Sequence, residues 1–239
     1  SYCKGAIRDQ IEAGKRFFGQ KYRDMKYAAY FQAYSNTFAP LSVLKERYEE
    51  ALSCEEIVSL IVATRPDCIT AEILSYLLEI KQRGYSVSLE IGIESLYDKT
   101  LLRINRGHSS QQSIDSIRQC AEAGLEVGGH LIIGLPGETQ EMILQEVSLL
   151  NDLPLSYLKL HQLQIIKGTP MEKEYLASPW HLPSVDEYID FCAQYIRACR
   201  QDMIFERFIS ESPRNMVVAP CWNGIKNFEF TDKLRKAVG

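Results

Sequence analysis

The chain has 239 residues, of which 46% are hydrophobic and 24% are charged, as is typical of a globular protein. Its 31 acidic and 27 basic residues give a formal net charge of −4, which provides no overall attraction for nucleic acid. No apolar run approaches the roughly 20 residues of a membrane span, and the first residues lack the apolar segment of a signal peptide. We therefore expect a cytoplasmic protein without a membrane partner.

The seven cysteines are scattered along the chain, and none forms a CxxC pair. This distribution argues against a disulfide framework and against a zinc knuckle, so we predict no metal site built by this chain alone. Cys192 and Cys199 lie seven residues apart on a predicted helix. Their spacing favours two packed thiols on one helix face.

Strand-like and helical segments alternate along most of the chain. The predicted strands are 25–35, 56–64, 85–93, 125–134, 156–165 and 202–210. The predicted helices are 41–53, 70–84, 109–124, 139–152 and 184–201, and residues 4–20 and 231–239 also have helical patterns. Thr70 is a predicted N-cap, and Ser184 with Glu187 has the pattern of a capping box. The repeated βα pattern predicts a doubly wound sheet or a (β/α) barrel, complete or partial.

We predict a single domain over residues 1–239, with 203–239 as a C-terminal extension of the same domain. No strand precedes the helical pattern of residues 4–20, and the pattern of 231–239 stops without a cap. We therefore expect the chain to be incomplete and truncated at its N-terminal strand. Such a barrel would have an unpaired edge at residues 28–36, which favours a homodimer through that edge.

Four predicted strands carry polar residues or glycines along one face. In VSLEIGIES, residues 87–95, four apolar side chains alternate with Ser88, Glu90, Gly92 and Glu94. The equivalent residues of the other strands are Tyr30, Gln32, Tyr34, Asn36, Gly128, His130, Ile132, Gly134, Lys159 and His161. Because burial of an unpaired charge costs several kcal/mol, these faces must pair with one another or line a solvent-filled cavity. An ion pair of Glu90 with Lys159 is one example of the first alternative, and we favour the second.

The loops after these strands also carry polar groups and glycines. They are Thr64–Asp67, the basic segment Arg103–His108, and GLPGET at 134–139, whose glycines allow close approach of a ligand to the backbone. The C-terminal ends of parallel strands meet at one edge of a sheet or barrel, so we expect a ligand site there.

Six motifs between residues 25 and 170 resemble those of radical S-adenosylmethionine (SAM) proteins. The motifs are YFQAYSNT, ATRPDC, LEIGIES, LLRINRGH, GHLIIGLPGE and KLHQLQIIKGT. The sequence is most similar to a subgroup of Fe–S oxidoreductases that is related to the radical SAM module of the elongator catalytic subunit. This resemblance implies an α/β fold, a partial (β/α) TIM-like barrel of the radical SAM type.

The resemblance also implies cofactors and partners. The cofactors would be SAM and a [4Fe–4S] cluster held by three cysteines, and one-electron reduction would cleave SAM to a 5′-deoxyadenosyl radical that acts on an unknown substrate. The substrate could include RNA, and the electron donor would be a protein such as flavodoxin or ferredoxin.

The resemblance assigns roles to particular residues of this sequence. The expected cofactor-binding residues are Gln32, Tyr34, Asn36, Thr64, Arg65, Glu90, Glu94, Ser95, His130, Ile132, Gly134, Leu135, Lys159 and His161. Glu90, Glu94 and Ser95 would meet the ribose hydroxyls and the amine, and the strand with His130 would pack the adenine. Two sets of residues, Thr64, Arg65 and Asp67 and the segment Arg106 to His108, would contact the substrate or the SAM carboxylate, or only shape the rim. The GlyGlyGlu motif that holds the methionine amine in other members is replaced here, so those contacts are open.

The three cluster cysteines have no counterpart in this chain, where Cys3 stands alone near the start. We therefore expect this polypeptide by itself to be inactive. Two alternatives use the same residues. One is a SAM-independent barrel lyase or hydrolase with Lys159 as a Schiff-base amine or His161 as a general base. The other is a non-catalytic scaffold that binds RNA or protein through the segment Arg103–His108.

Overall fold

The structure is a computed structural model that describes residues 5–19, 24–32, 34–222 and 224–239. Cys3 and Ala33, which figure in the sequence predictions, lie outside the described residues. No helix among these described ranges is long and apolar enough to cross a membrane.

Each predicted strand segment contains a strand, with close agreement at 56–64, 85–93 and 125–134 and partial agreement at the other three. They are β1 Tyr27–Phe31, β2 Ile57–Thr64, β3 Ser86–Glu94, β4 Glu126–Ile133, β5 Tyr157–Gln162, β6 Ile165–Ile166, β7 Ile204–Arg207 and β8 Val217–Ala219. The helices are α1 Ile7–Gly19, α2 Leu41–Leu52, α3 Ala71–Gln82, α4 Asp98–Arg103, α5 Ser110–Glu122, α6 Gln140–Asn151, α7 Pro170–Ala177, α8 Val185–Ala198 and α9 Asn227–Val238. A 3₁₀ turn occupies Pro66–Cys68.

The larger sheet has six strands in the order β1-β2-β3-β4-β5-β7. The pairs β1–β2, β2–β3, β4–β5 and β5–β7 are all parallel. A sequential order of parallel strands, with helices in the connections, is the topology of a partial (β/α) barrel. The predicted fold class is therefore confirmed.

The chain divides into two compact units. Unit 1 comprises Ser1–Gly92 and Asp115–Val127. In its core, Leu60 of β2 and Leu89 of β3 are fully buried, as is Leu77 of α3. Thr70 caps α3 by accepting a hydrogen bond from the Ile73 N–H, which confirms the predicted N-cap.

Unit 2 comprises Ile93–Ile114 and Gly128–Gly239. Its core includes an aromatic cluster in which Tyr188, Phe191 and Tyr195 of α8 are almost completely buried. The predicted capping box of α8 is present, with the Ser184 N–H donating to Glu187 Oε2 at 2.8 Å and the Glu187 N–H donating to Ser184 Oγ at 3.3 Å. The thiols of Cys192 and Cys199 are buried, as predicted, and burial raises the pKa of Cys199 to about 11.

The end of α6 depends on a distant arginine of the same unit. The Arg200 guanidinium donates to the carbonyl oxygens of Asn151 and Leu153 at 3.2 and 3.1 Å, and also to the carbonyl of Leu155. The Asp152 N–H donates to the carbonyls of Leu149 and Leu150, and Arg200 supplies a donor for Asn151, the last residue of the helix.

Three of the predicted strands differ from the structure. The segment 202–210 forms a strand only at Ile204–Arg207. The segment 25–35 forms a strand only at Tyr27–Phe31, because Tyr34 has a left-handed backbone with φ +62° and cannot continue it. The segment 156–165 divides into β5 and the short β6, which pairs antiparallel with β8 in a separate sheet. Strand β8 and the helices α4 and α7 were absent from the sequence predictions.

Candidate functional site

The turn after β1 in unit 1 carries three of the predicted cofactor-binding residues. The side chains of Gln32 and Tyr34 are exposed, Tyr34 by 98%. Asn36 instead holds the turn together, since its amide donates to the carbonyls of Phe31 and Ala63 at 2.8 and 2.9 Å. Its contacts are those of a structural residue, whereas Gln32 and Tyr34 are accessible to a ligand.

Glu90 of β3 is buried and paired. It is only 1% exposed, and Tyr30 of β1 donates a hydrogen bond of 2.5 Å to its carboxylate. Such a short distance is typical of a charge-assisted hydrogen bond. The alternation of the sequence placed Glu90 on the polar face correctly, but the favoured expectation that this face lines a solvent-filled cavity is wrong at Glu90, which pairs with a neighbouring polar face. The sequence also indicated the partner residue, because Tyr30 lies on the polar face of its own strand.

The loop after β2 is closed by its own side chains. Arg65 donates two hydrogen bonds to Asp67, at 2.8 and 2.5 Å, which is a bidentate pair. Thr64 is buried, with its hydroxyl 2.6 Å from that of Thr37, which also donates to the Cys68 carbonyl. Of the two roles considered for Arg65 and Asp67, these contacts favour the structural one.

In unit 2, Glu94 lies at the end of β3 with an unusual backbone conformation. Its φ of +65° is rare for a residue other than glycine. Its carboxylate forms an ion pair of 2.8 Å with Arg106, one of the predicted rim residues. Burial raises the pKa of Glu94, and Arg106 and His130 oppose that rise. Backbone strain of this kind is concentrated at functional sites.

The remaining basic predicted residues of unit 2 lie on or near strand ends. His130 of β4 and His161 of β5 have ring centroids 5.6 Å apart. Lys159 of β5 is 5% exposed and forms a 3.0 Å ion pair with Glu206. His108 is buried, with Nε2 3.4 Å from the Ile93 carbonyl oxygen.

Two carboxylates of unit 2 that the sequence reasoning missed hold the segment after β3. Glu138 accepts a 2.5 Å hydrogen bond from the Ser95 hydroxyl, and Glu146 of α6 accepts one of 2.9 Å from the Leu96 N–H. Burial raises the pKa of Glu138, and it raises that of Glu146 to about 8. The sequence could have indicated that Glu146 is buried, because it shares the apolar face of α6 with Ile143, Val147 and Leu150.

The strand β4 and the GLPGE loop are shaped by glycines. A Cβ atom at Gly128 would lie 2.1 Å from the Tyr157 ring, so only glycine fits there. Gly134 has φ +94°, which allows the chain to turn out of β4. Ile132 before it is half-buried, and Leu135 after it packs in a core with Leu163 and Ile165.

Comparison of the sequence with known protein families identifies the family of this chain. The profile described as "Radical SAM superfamily" matches residues 19–150, more than half of the chain. The chain belongs to the radical SAM superfamily. A second profile, "Radical_SAM C-terminal domain", matches residues 155–238.

Individual relatives of this radical SAM chain include proteins of known name. Protein YhcC of Escherichia coli (strain K12) is 39% identical over 200 residues, which cover 84% of this chain and 65% of YhcC. A tRNA uridine(34) acetyltransferase of Methanocaldococcus infernus is 28% identical over 117 residues, 48% of this chain and 21% of that protein. The chain thus spans about two thirds of the length of YhcC and a smaller part of the acetyltransferase.

The solved structure of archaeal Methanocaldococcus infernus Elp3 with an N-terminal deletion shares the fold. It superposes with a TM-score of 0.78 and 18% sequence identity, and the match covers 96% of this chain and 57% of that chain. At this identity the likeness concerns the fold alone.

The described cysteines do not fit the [4Fe–4S] cluster of a radical SAM protein. Five are buried and one is exposed; they are Cys54, Cys68, Cys120, Cys192, Cys199 and Cys221. Within the described ranges, no group of three or more cysteine, histidine or acidic side chains could hold a metal ion.

Proposed function

We propose that this chain is the core of a radical SAM enzyme whose cluster is held by cysteines outside the described residues. The observation that carries the proposal is the superfamily match over residues 19–150, on a sequential parallel sheet. In such an enzyme a [4Fe–4S] cluster and SAM supply a 5′-deoxyadenosyl radical that abstracts hydrogen from the substrate. An electron donor such as flavodoxin or ferredoxin, and a cytoplasmic location, are parts of the same proposal.

The residues of unit 1 are proposed to bind SAM through groups after β1 and on β3. Gln32 and Tyr34 are exposed where β1 ends, so their side chains and carbonyls can reach a ligand. The Glu90 carboxyl group is oriented by the Tyr30 hydroxyl, and a carboxylate suits a cationic, hydroxyl-rich ligand. The fixed orientation of the Glu90 side chain supports this assignment, because a carboxylate held by a neighbouring hydroxyl need not reorganise when the ligand binds.

The residues of unit 2 are proposed to bind the adenosyl part of SAM. Glu94 has a strained backbone and a carboxylate buried beside Arg106, which supports a functional role. Backbone groups from Ile132 to Leu135 would pack the adenine, since Gly134 leaves that segment without a side chain at its turn. His130, Lys159 and His161 complete the proposed set, and Ser95 contributes by positioning Glu138.

RNA is the substrate class that we propose for the full-length protein. The support is the similarity to a tRNA uridine(34) acetyltransferase, which extends over 48% of this chain.

The decisive test is anaerobic reconstitution of the full-length gene product with iron and sulfide, followed by reduction in the presence of SAM. We expect 5′-deoxyadenosine to form, measured by chromatography. A reconstituted, reduced protein that yields no 5′-deoxyadenosine contradicts the proposal.

A variant pair tests the role of Glu90 in the same preparation. Glu90→Gln removes the negative charge and should weaken SAM binding at least tenfold in a dialysis assay. The control Glu126→Gln changes an exposed residue at the start of β4 and should leave the affinity unchanged. Equal SAM affinity of both variants would show that Glu90 is not a ligand.

A further inference from the structure

Unit 2 contains a cavity that none of the proposed SAM-binding residues lines. Its volume is about 370 Å³, within the range of small-molecule sites. It lies beyond the C-terminal ends of β5 and β7. The residues that matter for its chemistry are Gln162, Gln164, Glu211, Arg214, Trp222 and Lys226. All of them fall within the match to the radical SAM C-terminal domain.

The walls of this cavity are held in place. Gln162 is 4% exposed and exchanges two hydrogen bonds of 2.9 Å with the backbone of Ser210. The Trp222 indole donates to the Pro183 carbonyl at 2.9 Å and stacks on Phe230 with an interplanar angle of 5°. A ligand would therefore meet a preformed aromatic and amide surface, which lowers the entropic cost of binding.

The charges of the cavity do not balance. Lys226 and Glu211 form a 2.8 Å ion pair and neutralise each other. Arg214 makes no ion pair with any residue that the structure describes. Its guanidinium lies over Gly224, where a Cβ atom would come within 2.0 Å of Nη2. The cavity thus presents one uncompensated positive charge beside an indole ring.

We propose that this cavity binds a nucleotide unit, with the phosphate on Arg214 and the base along Trp222. The guanidinium group recognises phosphate oxygens in a bidentate manner. Aromatic side chains stack with nucleobases of any sequence. The inference rests on the proposed function only in identifying this nucleotide as part of the substrate. Its source is either RNA or a free mononucleotide.

The test uses the fluorescence of Trp222. The chain has two tryptophans, so Trp180→Phe leaves Trp222 as the single tryptophan. This variant is titrated with uridine monophosphate and, separately, with bulk tRNA at several salt concentrations. We expect saturable quenching by at least one of them. If the natural ligand is a free mononucleotide, uridine monophosphate should bind more tightly than tRNA. If it is RNA, tRNA should bind at least a hundredfold more tightly than uridine monophosphate.

Two further substitutions in this background assign the binding to the cavity. Arg214→Gln should weaken it at least tenfold and reduce the salt dependence by about one released counterion. Gly224→Ala keeps the charge but displaces the guanidinium, and should cause a similar loss. The control Arg235→Gln, at an exposed residue of α9 outside the cavity, should have no effect.

The proposal is overturned if neither probe quenches Trp222 saturably, or if Arg214→Gln binds as tightly as its parent. These measurements need neither SAM nor a cluster. A protein that forms 5′-deoxyadenosine but fails the titration would therefore refute the nucleotide site and leave the proposed function standing.

Discussion

The hydroxyl group of Tyr30 reaches across the intervening strand β2 to the carboxylate of Glu90, at 2.5 Å. In the register of the sheet, Tyr30 is the partner of Ile61, and Glu90 is the partner of Ala63. The small Ala63 side chain leaves room beside it for the larger Tyr30 and Glu90. The interaction therefore ties the first and third strands of unit 1 together through their polar faces.

Tyr30→Phe should reduce the free energy of unfolding by about 2 kcal/mol, because a buried carboxylate loses a charge-assisted donor. Urea denaturation of the variant and the parent measures the difference. The control is Tyr27→Phe on the same strand, which we expect to change stability by less than about 0.5 kcal/mol. Indistinguishable results for the two variants would show that the Tyr30 hydroxyl does not stabilise Glu90.

Glu146 should make the protein less stable as the pH rises. Its pKa is about 8 in the folded protein and near 4.5 when unfolded, so between these values the folded state binds a proton that the unfolded state lacks. The contribution is complete below pH 4.5 and is lost as the pH approaches 8. Relative to the parent, Glu146→Gln should gain roughly 1.4 kcal/mol of unfolding free energy per pH unit between these limits.

The measurement is urea denaturation of parent and variant at pH 5, 6, 7 and 8. Glu141→Gln on the same helix is the control, because the pKa of Glu141 is lowered by backbone and side-chain hydrogen bonds at the helix start. Its difference from the parent should be constant over this range. A constant difference for Glu146→Gln as well would mean that Glu146 is ionised in the folded protein.

Gly128→Ala should destabilise the protein by about 1–3 kcal/mol, because the added methyl group overlaps the Tyr157 ring. Thermal or urea denaturation measures the loss. Gly14→Ala in α1 is the matched control: its Cβ atom meets nothing within 4 Å, and we expect a gain of about 0.5–1 kcal/mol. A Gly128→Ala protein as stable as the parent would show that Tyr157 moves aside without cost.

Arg106→Gln should destabilise the protein more at pH 8 than at pH 5. The burial that raises the pKa of Glu94 is opposed by Arg106, so its removal leaves a charged carboxylate without its ion-pair partner at high pH. We expect a loss of about 2 kcal/mol at pH 8, between the values for exposed and buried pairs. The control Arg103→Gln breaks the exposed pair with Glu174 and should cost less than about 1 kcal/mol. Equal losses at both pH values would contradict this account of Glu94.

The order of strands and helices could be predicted because each element has a local signal. The apolar period, the Thr70 cap and the Ser184–Glu187 capping box are all properties of neighbouring residues, and the structure confirms them. The end of β1 could not be predicted, because Tyr34 adopts a left-handed backbone that only glycine would have indicated. Strand β8, Val217–Ala219, is too short to show an alternation.

Local patterns predicted which strand positions carry polar side chains, but not the pairs that these side chains form. Alternation along β3 identified Glu90 and Glu94 as inward polar residues. Their partners Tyr30 and Arg106 depend on strand register and on the path of a loop, which no local pattern contains. The same holds for Glu146, whose partner is a backbone N–H fifty residues away.

The guanidinium of Arg200 makes the end of α6 dependent on a residue that is synthesised about fifty positions later. Helix α6 has no glycine at its end, and a cation that follows α8 binds the carbonyl of its last residue, Asn151. Ribosomal synthesis must therefore extend past residue 200 before this carbonyl has that donor. Deletions meant to isolate a smaller folding core should retain this arginine, because shorter products would lose its hydrogen bonds to the carbonyls of Asn151, Leu153 and Leu155.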